Sequence, residues 1–281
     1  MSEEREGGPT PDWAHSFGGV VEAYDRGRPT YPLEAAAWLV GQEAATVLEL
    51  GAGTGKLTAQ LTALGHDVFA TDPDRAMLDR LEANLPDVRT AVGTAEEIPL
   101  GDRSVDVAVA AQAFHWFDLD VALPEIARVL KPGGRIAVVW NQRDERIPWV
   151  RRLGNLIGTQ DQLREPAAAI VDSGLFGFLE EASFAFWHTI DRRTIQDLVL
   201  SRSNVAVLDE AGRAAKLAEV LAFYDDFGRG MDGMQLPYVA RCFRATVVDQ
   251  PGAEVSDETG DEPEDGPSDG TDTDMLLIDF R

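Results

Sequence analysis

The 281-residue chain contains one cysteine, Cys242. It can therefore form no internal disulfide, and a cysteine-based zinc site is excluded with it. Long apolar runs are missing as well: none approaches the ~18 residues that a membrane-spanning helix requires. The first twelve residues, MSEEREGGPTPD, have neither the basic start nor the apolar stretch of a secretory signal. Positive charge is scarce, with 25 Lys and Arg against 49 Asp and Glu and a net charge of −24. Twelve of the acids and one Arg fall in residues 249–281, so that segment carries −11 and the remainder −13. A protein this acidic disfavours nucleic acid as a partner, because phosphate binding rests on clustered cations. No internal repeat is visible, and no His/Asp/Glu group has metal-ligand spacing, so no metal is expected. The expectation from these absences is a cytoplasmic protein, a monomer or weak homodimer, with no membrane or nucleic-acid partner.

What is present is an alternation of short apolar runs and helical patterns. TVLEL (46–50), HDVFATD (66–72), DVRTAVG (87–93), SVDVAVAA (104–111) and RIAVVWN (135–141) read as strands. Helices are expected over 55–65, 73–85 and 120–130, the last stopped by Pro132-Gly133-Gly134. This alternation predicts an α/β fold: a Rossmann-like, doubly wound, mostly parallel sheet. Right-handed crossovers would place Glu49, Asp72, residues 93–96, residues 112–117 and Asn141 at one edge, the strands' C-terminal ends, where ligands bind. Beyond Asn141 the pattern changes. Strands are expected at 181–191 and 236–248, closing the sheet antiparallel, with helices between them forming a lid insertion at about 192–230. An N-terminal cap precedes the first strand. The expected organisation is a disordered 1–12, a main domain over 13–248, and an acidic disordered tail over 249–281. The tail's Asp, Glu, Gly, Pro, Ser and Thr cannot bury enough surface to offset ordering entropy, although it ends in the apolar MLLIDFR.

The stretch VLELGAGTGKLTAQL (47–61) is the sharpest local feature. A P-loop needs Gly, four residues, then Gly-Lys-Ser/Thr; here the leading position is Leu50 and the follower of Lys56 is Leu57. A dinucleotide fingerprint needs G-x-G-x-x-G; Gly51 and Gly53 fit, but the third glycine arrives one residue early, at Gly55. Glu49, two residues before the first glycine, would repel a pyrophosphate. It suits a ligand with cationic groups and no phosphates, which is the charge pattern of S-adenosylmethionine.

VLELGAGTGKLT, ATDPDRAMLDRL, GTAEEIPL, AAQAFHWFD and RVLKPGGRIAVVWN together resemble the successive motifs of class I S-adenosylmethionine-dependent methyltransferases, in particular the methyltransferase type 11, trans-aconitate-methyltransferase-like subgroup. The resemblance implies the following roles. Gly51, Ala52, Gly53 and Gly55 would let the backbone approach the methionine moiety, whose amino group Glu49 would hold. Asp72 would accept the ribose hydroxyls with Pro73 alongside. Thr94, Ala95 and Glu96 form the adenine segment, and Gln112 and Ala113 would line the methionine end. Tyr24, Arg28 and Tyr31 of the cap would close over the cofactor. His115 is the candidate base if the acceptor, a small molecule methylated on O (carboxylate or hydroxyl), N or C, carries a proton to be removed. Arg143 and Arg202 are candidates for binding an acidic substrate.

Simpler readings stand beside these. Asp72 also fits a helix N-cap, Glu96 a solvated loop, and Tyr24, Phe17 and Tyr31 plain packing. Trp140 fits a core position, Lys56 a solvated first helix turn, and Arg143 and Arg202 surface ion pairs. His115 also fits a structural role. The alternative at the level of the whole protein is a non-catalytic module that binds S-adenosylmethionine or its demethylated product as a regulator.

Overall fold

The computed structural model describes residues 21–158, 166–202, 205, 208–227 and 233–248. The expectations for residues 1–12, for Phe17 and for the tail over 249–281 lie outside the described residues. Two helices come first, α1 (Val21–Gly27) and α2 (Leu33–Val40). Then follow β1 (Thr46–Leu50), α3 (Thr58–Ala63), β2 (Asp67–Asp72), α4 (Arg75–Asn84), β3 (Arg89–Val92), β4 (Val105–Ala111), α5 (Leu119–Val129) and β5 (Leu130–Arg143). The rest comprises α6 (Pro148–Ile157), α7 (Pro166–Asp172), β6 (Glu180–Ile190), α8 (Thr194–Leu200), α9 (Glu210–Phe227) and β7 (Met234–Thr246).

The strands form one seven-stranded sheet in the order β3-β2-β1-β4-β5-β7-β6. Strands β1 to β5 are parallel, and β7 runs antiparallel between β5 and β6. Chain order reverses at β1 and β4, the switch point where open α/β sheets bind ligands. The central strands are apolar on both faces because helices cover both. On one face Leu48, Ala108, Ile136 and Trp140 pack with Ile126 and Val129 of α5. On the other, Val47, Val109 and Val139 pack with Leu39 of α2 and Leu61 of α3. A third cluster joins Leu153 of α6, Leu198 of α8 and Phe223 of α9 to Leu236 and Tyr238 of β7. The chain between β6 and β7 therefore docks on the sheet's far end through its own apolar surface.

The structure departs from expectation at several points. Helix α5 ends at Val129, where Leu130 is already extended, so Pro132-Gly133-Gly134 lies at the entry of β5 and does not stop the helix. Gly134 is required there by proximity: a Cβ would sit 3.0 Å from the Asp106 carbonyl oxygen of β4. Helix α3 begins at Thr58, later than the expected 55, because Gly55 at φ 85° belongs to the preceding turn. Helix α6, not anticipated, buries Val150, Leu153, Gly154 and Ile157, an i, i+3, i+4, i+7 stripe that is readable in the sequence.

Candidate functional site

A cleft open to solvent lies at the C-terminal edge of the sheet. The strand ends supply Glu49 and Gly51 from β1, Gln112 from β4, Asn141 and Arg143 from β5, and Tyr238 from β7. The cap supplies Tyr24, Arg28 and Tyr31, and α8 supplies Leu198.

The three loop glycines have positive φ values of 68°, 57° and 85° at Gly51, Gly53 and Gly55. Their reasons differ. A Cβ on Gly51 would meet the Ala113 Cβ at 2.5 Å, and one on Gly55 would meet Leu81 of α4 at 2.8 Å. Only Gly53 of these three would place its Cβ in open space. The protein's own packing thus demands two of the three glycines, and one leaves room for a ligand to approach.

Glu49 is 1% exposed and accepts a hydrogen bond from Thr58 Oγ1 at 2.7 Å. Burial pushes its pKa up to about 8 against the opposing pull of Thr58, and the neighbouring Asp72 adds to the rise. A solvated strand end would show none of this. Asp72 is also buried; its Oδ2 accepts the Gly53 N–H at 2.8 Å and its Oδ1 the Asp74 N–H at 2.9 Å. Burial raises its pKa to about 6 although both backbone bonds oppose it. The N-cap of α4 is Asp74, which accepts from the Ala76 N–H, so Asp72 does not cap that helix. Asp72 fastens the glycine loop to the end of β2, and it is not among the residues lining the cleft.

Gln112 closes β4 with a left-handed φ of 58°, a conformation that a non-glycine residue adopts at a cost. Two bonds hold it: its N–H donates to the Val139 carbonyl at 2.9 Å and its Nε2 to the Asn141 carbonyl at 3.0 Å. Asn141 Nδ2 in turn donates to the Thr30 carbonyl of the cap at 3.0 Å. Ala52 lines the cleft, while Ala113 packs behind Gly51.

The adenine segment lies farther off. Pro73 and Thr94 are exposed, and Ala95 is buried in the core beside Leu50 and Phe114. Glu96 Oε1 accepts the Asp118 N–H at 2.8 Å, tying the loop after β3 to the start of α5. None of these four lines the cleft. His115 sits on a single 3-10 turn, Phe114–Trp116, with an exposed rim. Its ring lies 4.5 Å from that of Trp116, and Trp140 Nε1 reaches its Nδ1 at 3.5 Å. Apolar surroundings lower its pKa, so it is neutral at pH 7. His115, too, is outside the cleft lining. Trp140 is a core residue at 2% exposure.

The cap is held to the body by contacts that its sequence did not announce. Lys56, expected to be solvated, donates to the Asp25 carbonyl at 2.6 Å and faces the Asp25 carboxylate at 3.7 Å. Arg26 bonds both carboxylate oxygens of Asp197 on α8, at 2.9 and 3.1 Å. His188 Nε2 lies 3.3 Å from the Gly27 carbonyl, and a Cβ on Gly27 would overlap the Leu198 backbone N at 2.3 Å. Arg28 stacks over the Tyr24 ring at 5.3 Å and donates to the Ser201 hydroxyl and carbonyl, both at 2.9 Å. Arg143, whose side chain is 1% exposed, bonds Glu145 at 3.1 Å and the Gly158 carbonyl at 2.8 Å; it is no surface ion pair. Burial, together with Arg28 and Arg143, brings the pKa of Arg202 down to about 9.

Residues 48–138 match a family model described as a methyltransferase domain. An uncharacterized methyltransferase of Mycobacterium tuberculosis is 45% identical over 239 residues, covering 84% of this chain and 97% of the relative. Among solved structures, a proposed type II methyltransferase from Anaeromyxobacter dehalogenans is 30% identical with a TM-score of 0.57, covering 78% of this chain and 97% of that one. The Haemonchus contortus phosphoethanolamine N-methyltransferase 2, solved with phosphomonomethylethanolamine and S-adenosylhomocysteine, shares the fold at 17% identity and a TM-score of 0.50, covering 83% of this chain and 58% of that one.

Proposed function

The chain belongs to the class I S-adenosylmethionine-dependent methyltransferases, and on that premise we propose that its cleft binds S-adenosylmethionine and presents the methyl group to a small-molecule acceptor. The observation that carries this reading is Glu49: a fully buried acid with a strongly raised pKa, lining a cleft beside a glycine loop. An uncompensated buried carboxyl is costly. A ligand ammonium beside it would relieve that cost by stabilising the ionised form. The open space at Gly53 admits the backbone-to-ligand approach that the loop was expected to provide. When bound, the cofactor supplies an electrophilic methyl on sulfur.

The chain's own residues hold, orient and exclude water. Glu49 would take the amino group, and Gly51, Ala52 and Gln112 would flank the methionine end. Asp72 keeps Gly53 in place for the ligand and stands at the end of β2 to meet the ribose. Tyr24 and Arg28, anchored to α8, would cover the cofactor as a roof. That roof serves catalysis by alignment and dehydration, the main requirements of an in-line displacement. The insertion that carries α8 therefore acts as a lid. His115, neutral at pH 7, is available to an acceptor that extends to the rim. We assign the protein to the cytoplasm as a monomer or weak homodimer; among the described residues no helix is long and apolar enough to cross a membrane.

Calorimetric titration with S-adenosylhomocysteine tests the assignment. Glu49 is protonated below about pH 8 in the free protein, and an ammonium lowers its pKa. Binding near pH ~7 is therefore expected to release a proton. Affinity should rise as the pH approaches about 8. Glu49→Gln should abolish the proton release. Binding of NAD in preference to S-adenosylhomocysteine, or no binding of either, contradicts the proposal.

A further inference from the structure

The sheet has two outer strands, and they meet solvent differently. At one end, β3 has only four residues, Arg89–Val92, and opens on a charged one. At the other, β6 runs for eleven, Glu180–Ile190, which is about 36 Å of extended chain. Shortness, lysine, proline or a bulge protects an edge from further pairing. β6 has none of these. It contains no Pro, Lys or Arg. It pairs with β7 residue for residue without a bulge. Its two acids, Glu180 and Glu181, are neutralised within the sheet by Arg244 and Arg241 of β7, at 2.7 and 2.6 Å. Among the described residues no strand lies on its outer side.

Side chains alternate along the strand. Glu181, Ser183, Ala185, Trp187 and Thr189 are exposed, while Ala182, Phe184, Phe186 and His188 are half-buried. Trp187 keeps 64% of its surface in solvent, and Phe178, just before the strand, 86%; among the described residues these are the two most exposed large apolar side chains. A long, regular edge with exposed aromatic surface is a ready template for another strand.

That other strand can be β6 of a second copy, because the sequence is complementary to itself. Antiparallel pairing about a two-fold axis through Ala185 sets Trp187 of each copy opposite Ser183 of the other, a large ring beside a small residue. On the other face it sets Phe184 opposite Phe186, an aromatic cross-strand pair made twice. His188 meets Ala182, Thr189 meets Glu181 and Ile190 meets Glu180, so no charge faces a charge. An axis one residue further on, at Phe186, would set Glu181 against Asp191.

We propose that the outer edge of β6 is a homodimer interface, in which two copies of the chain pair their β6 strands antiparallel about Ala185 and continue one sheet across both. The inference is independent of which acceptor is methylated. A single strand pair lies at the small end of specific interfaces, roughly 1,200 Å² of total buried area. The dimer is therefore expected to come apart on dilution.

Analytical ultracentrifugation of the full chain, from micromolar to near-millimolar concentration, should show a reversible shift from one copy to two. Trp187→Lys should raise the dissociation constant about tenfold or more, with the circular dichroism spectrum unchanged. Ala185→Cys gives a second reading that leaves the exposed ring in place. Position 185 faces its own counterpart at a Cα separation that a disulfide accepts, so mild oxidation should link two copies covalently. Thr189→Cys, on the same face but far from the axis, should stay unlinked. The native thiol, Cys242, is fully buried and does not interfere. A mass of one copy across the whole range, with Ala185→Cys unlinked, overturns the interface, whether the edge stays bare or another segment of the chain takes it. A dimer that survives Trp187→Lys and links Thr189→Cys as readily as Ala185→Cys overturns it too, because the copies then meet elsewhere.

Discussion

Two charged groups around the cleft, one acidic and one basic, are assembled in opposite ways. At the glycine loop stand Glu49 and, behind the glycines, Asp72; both are buried, and both hold their protons more tightly than free carboxyls do. The basic group comprises Arg28 and Arg143, which line the cleft, and Arg202, whose pKa both of them lower. The acidic group comes from one β-α-β unit, residues 46–72, whose parts are neighbours in sequence and in space. The basic group is gathered from the cap, the last parallel strand and the insertion. A local unit can be built by local rules, so its chemistry follows its sequence closely. A gathered cluster depends on every intervening element docking correctly.

This contrast can be broken most forcefully at Gly51. Gly51→Ala would force an alanine to φ 68° and set its Cβ 2.5 Å from that of Ala113. The left-handed backbone costs about 1–2 kcal/mol and overpacking about 1–3 kcal/mol. Denaturant unfolding should show a loss on the order of 2–4 kcal/mol, with S-adenosylhomocysteine affinity reduced in whatever protein folds. A stable variant with normal affinity would mean that the glycine loop is not the rigid, locally determined unit described.

Asp72→Ala comes next. It removes the acceptor for the Gly53 and Asp74 N–H groups together with any bond to the ligand. Calorimetry should show cofactor-analogue affinity falling by roughly 1.5–3 kcal/mol in a folded protein. Asp72→Asn sharpens the point, because it keeps an acceptor oxygen for the loop but not the charge. Recovery in Asn would assign Asp72 to loop support; no recovery would assign it to the ligand as well. Unchanged affinity in the alanine variant removes Asp72 from the site altogether.

The smallest effect is expected at His115. A general base contributes about 10²–10⁴ in rate, but His115 is not among the residues that line the cleft. His115→Ala should therefore lower kcat less than about tenfold on a carboxylate acceptor, which has no proton to remove. A loss in the base range, accompanied by a fall in wild-type activity on acidification through the lowered histidine pKa, would move the chemistry to the rim.

Much of the fold was legible, because the parallel strands are apolar on both faces and the helices between them carry a 3.6-residue stripe. Strand β4, with SVDVAVAA at its core, needed no tertiary information to be placed centrally. Helix α6 carried the same kind of stripe, but it lies where the β-α alternation lapses and no neighbouring strand frames it. The end of α5 falls one residue before the expected 130, and the Pro-Gly-Gly run that was expected to halt it serves instead the close approach of β5 to β4.

The same division runs through the site. The residue order alone determined that Glu49, the glycines and Asp72 would meet at one sheet edge, since a right-handed β-α-β crossover permits little else. It also set the expectation that a pyrophosphate is disfavoured there, since an ionised carboxylate at position 49 would repel one. Only the tertiary structure decided which glycines serve packing and which leaves room for a ligand. It placed Lys56 on the cap's Asp25 rather than in water. It brought residues 28, 143 and 202 within reach of one another. Those outcomes turn on burial and on distances between remote segments. Both exist only once the sheet has closed and the insertion has docked, because desolvation and Coulomb energy depend on where side chains end up and not on their order along the chain.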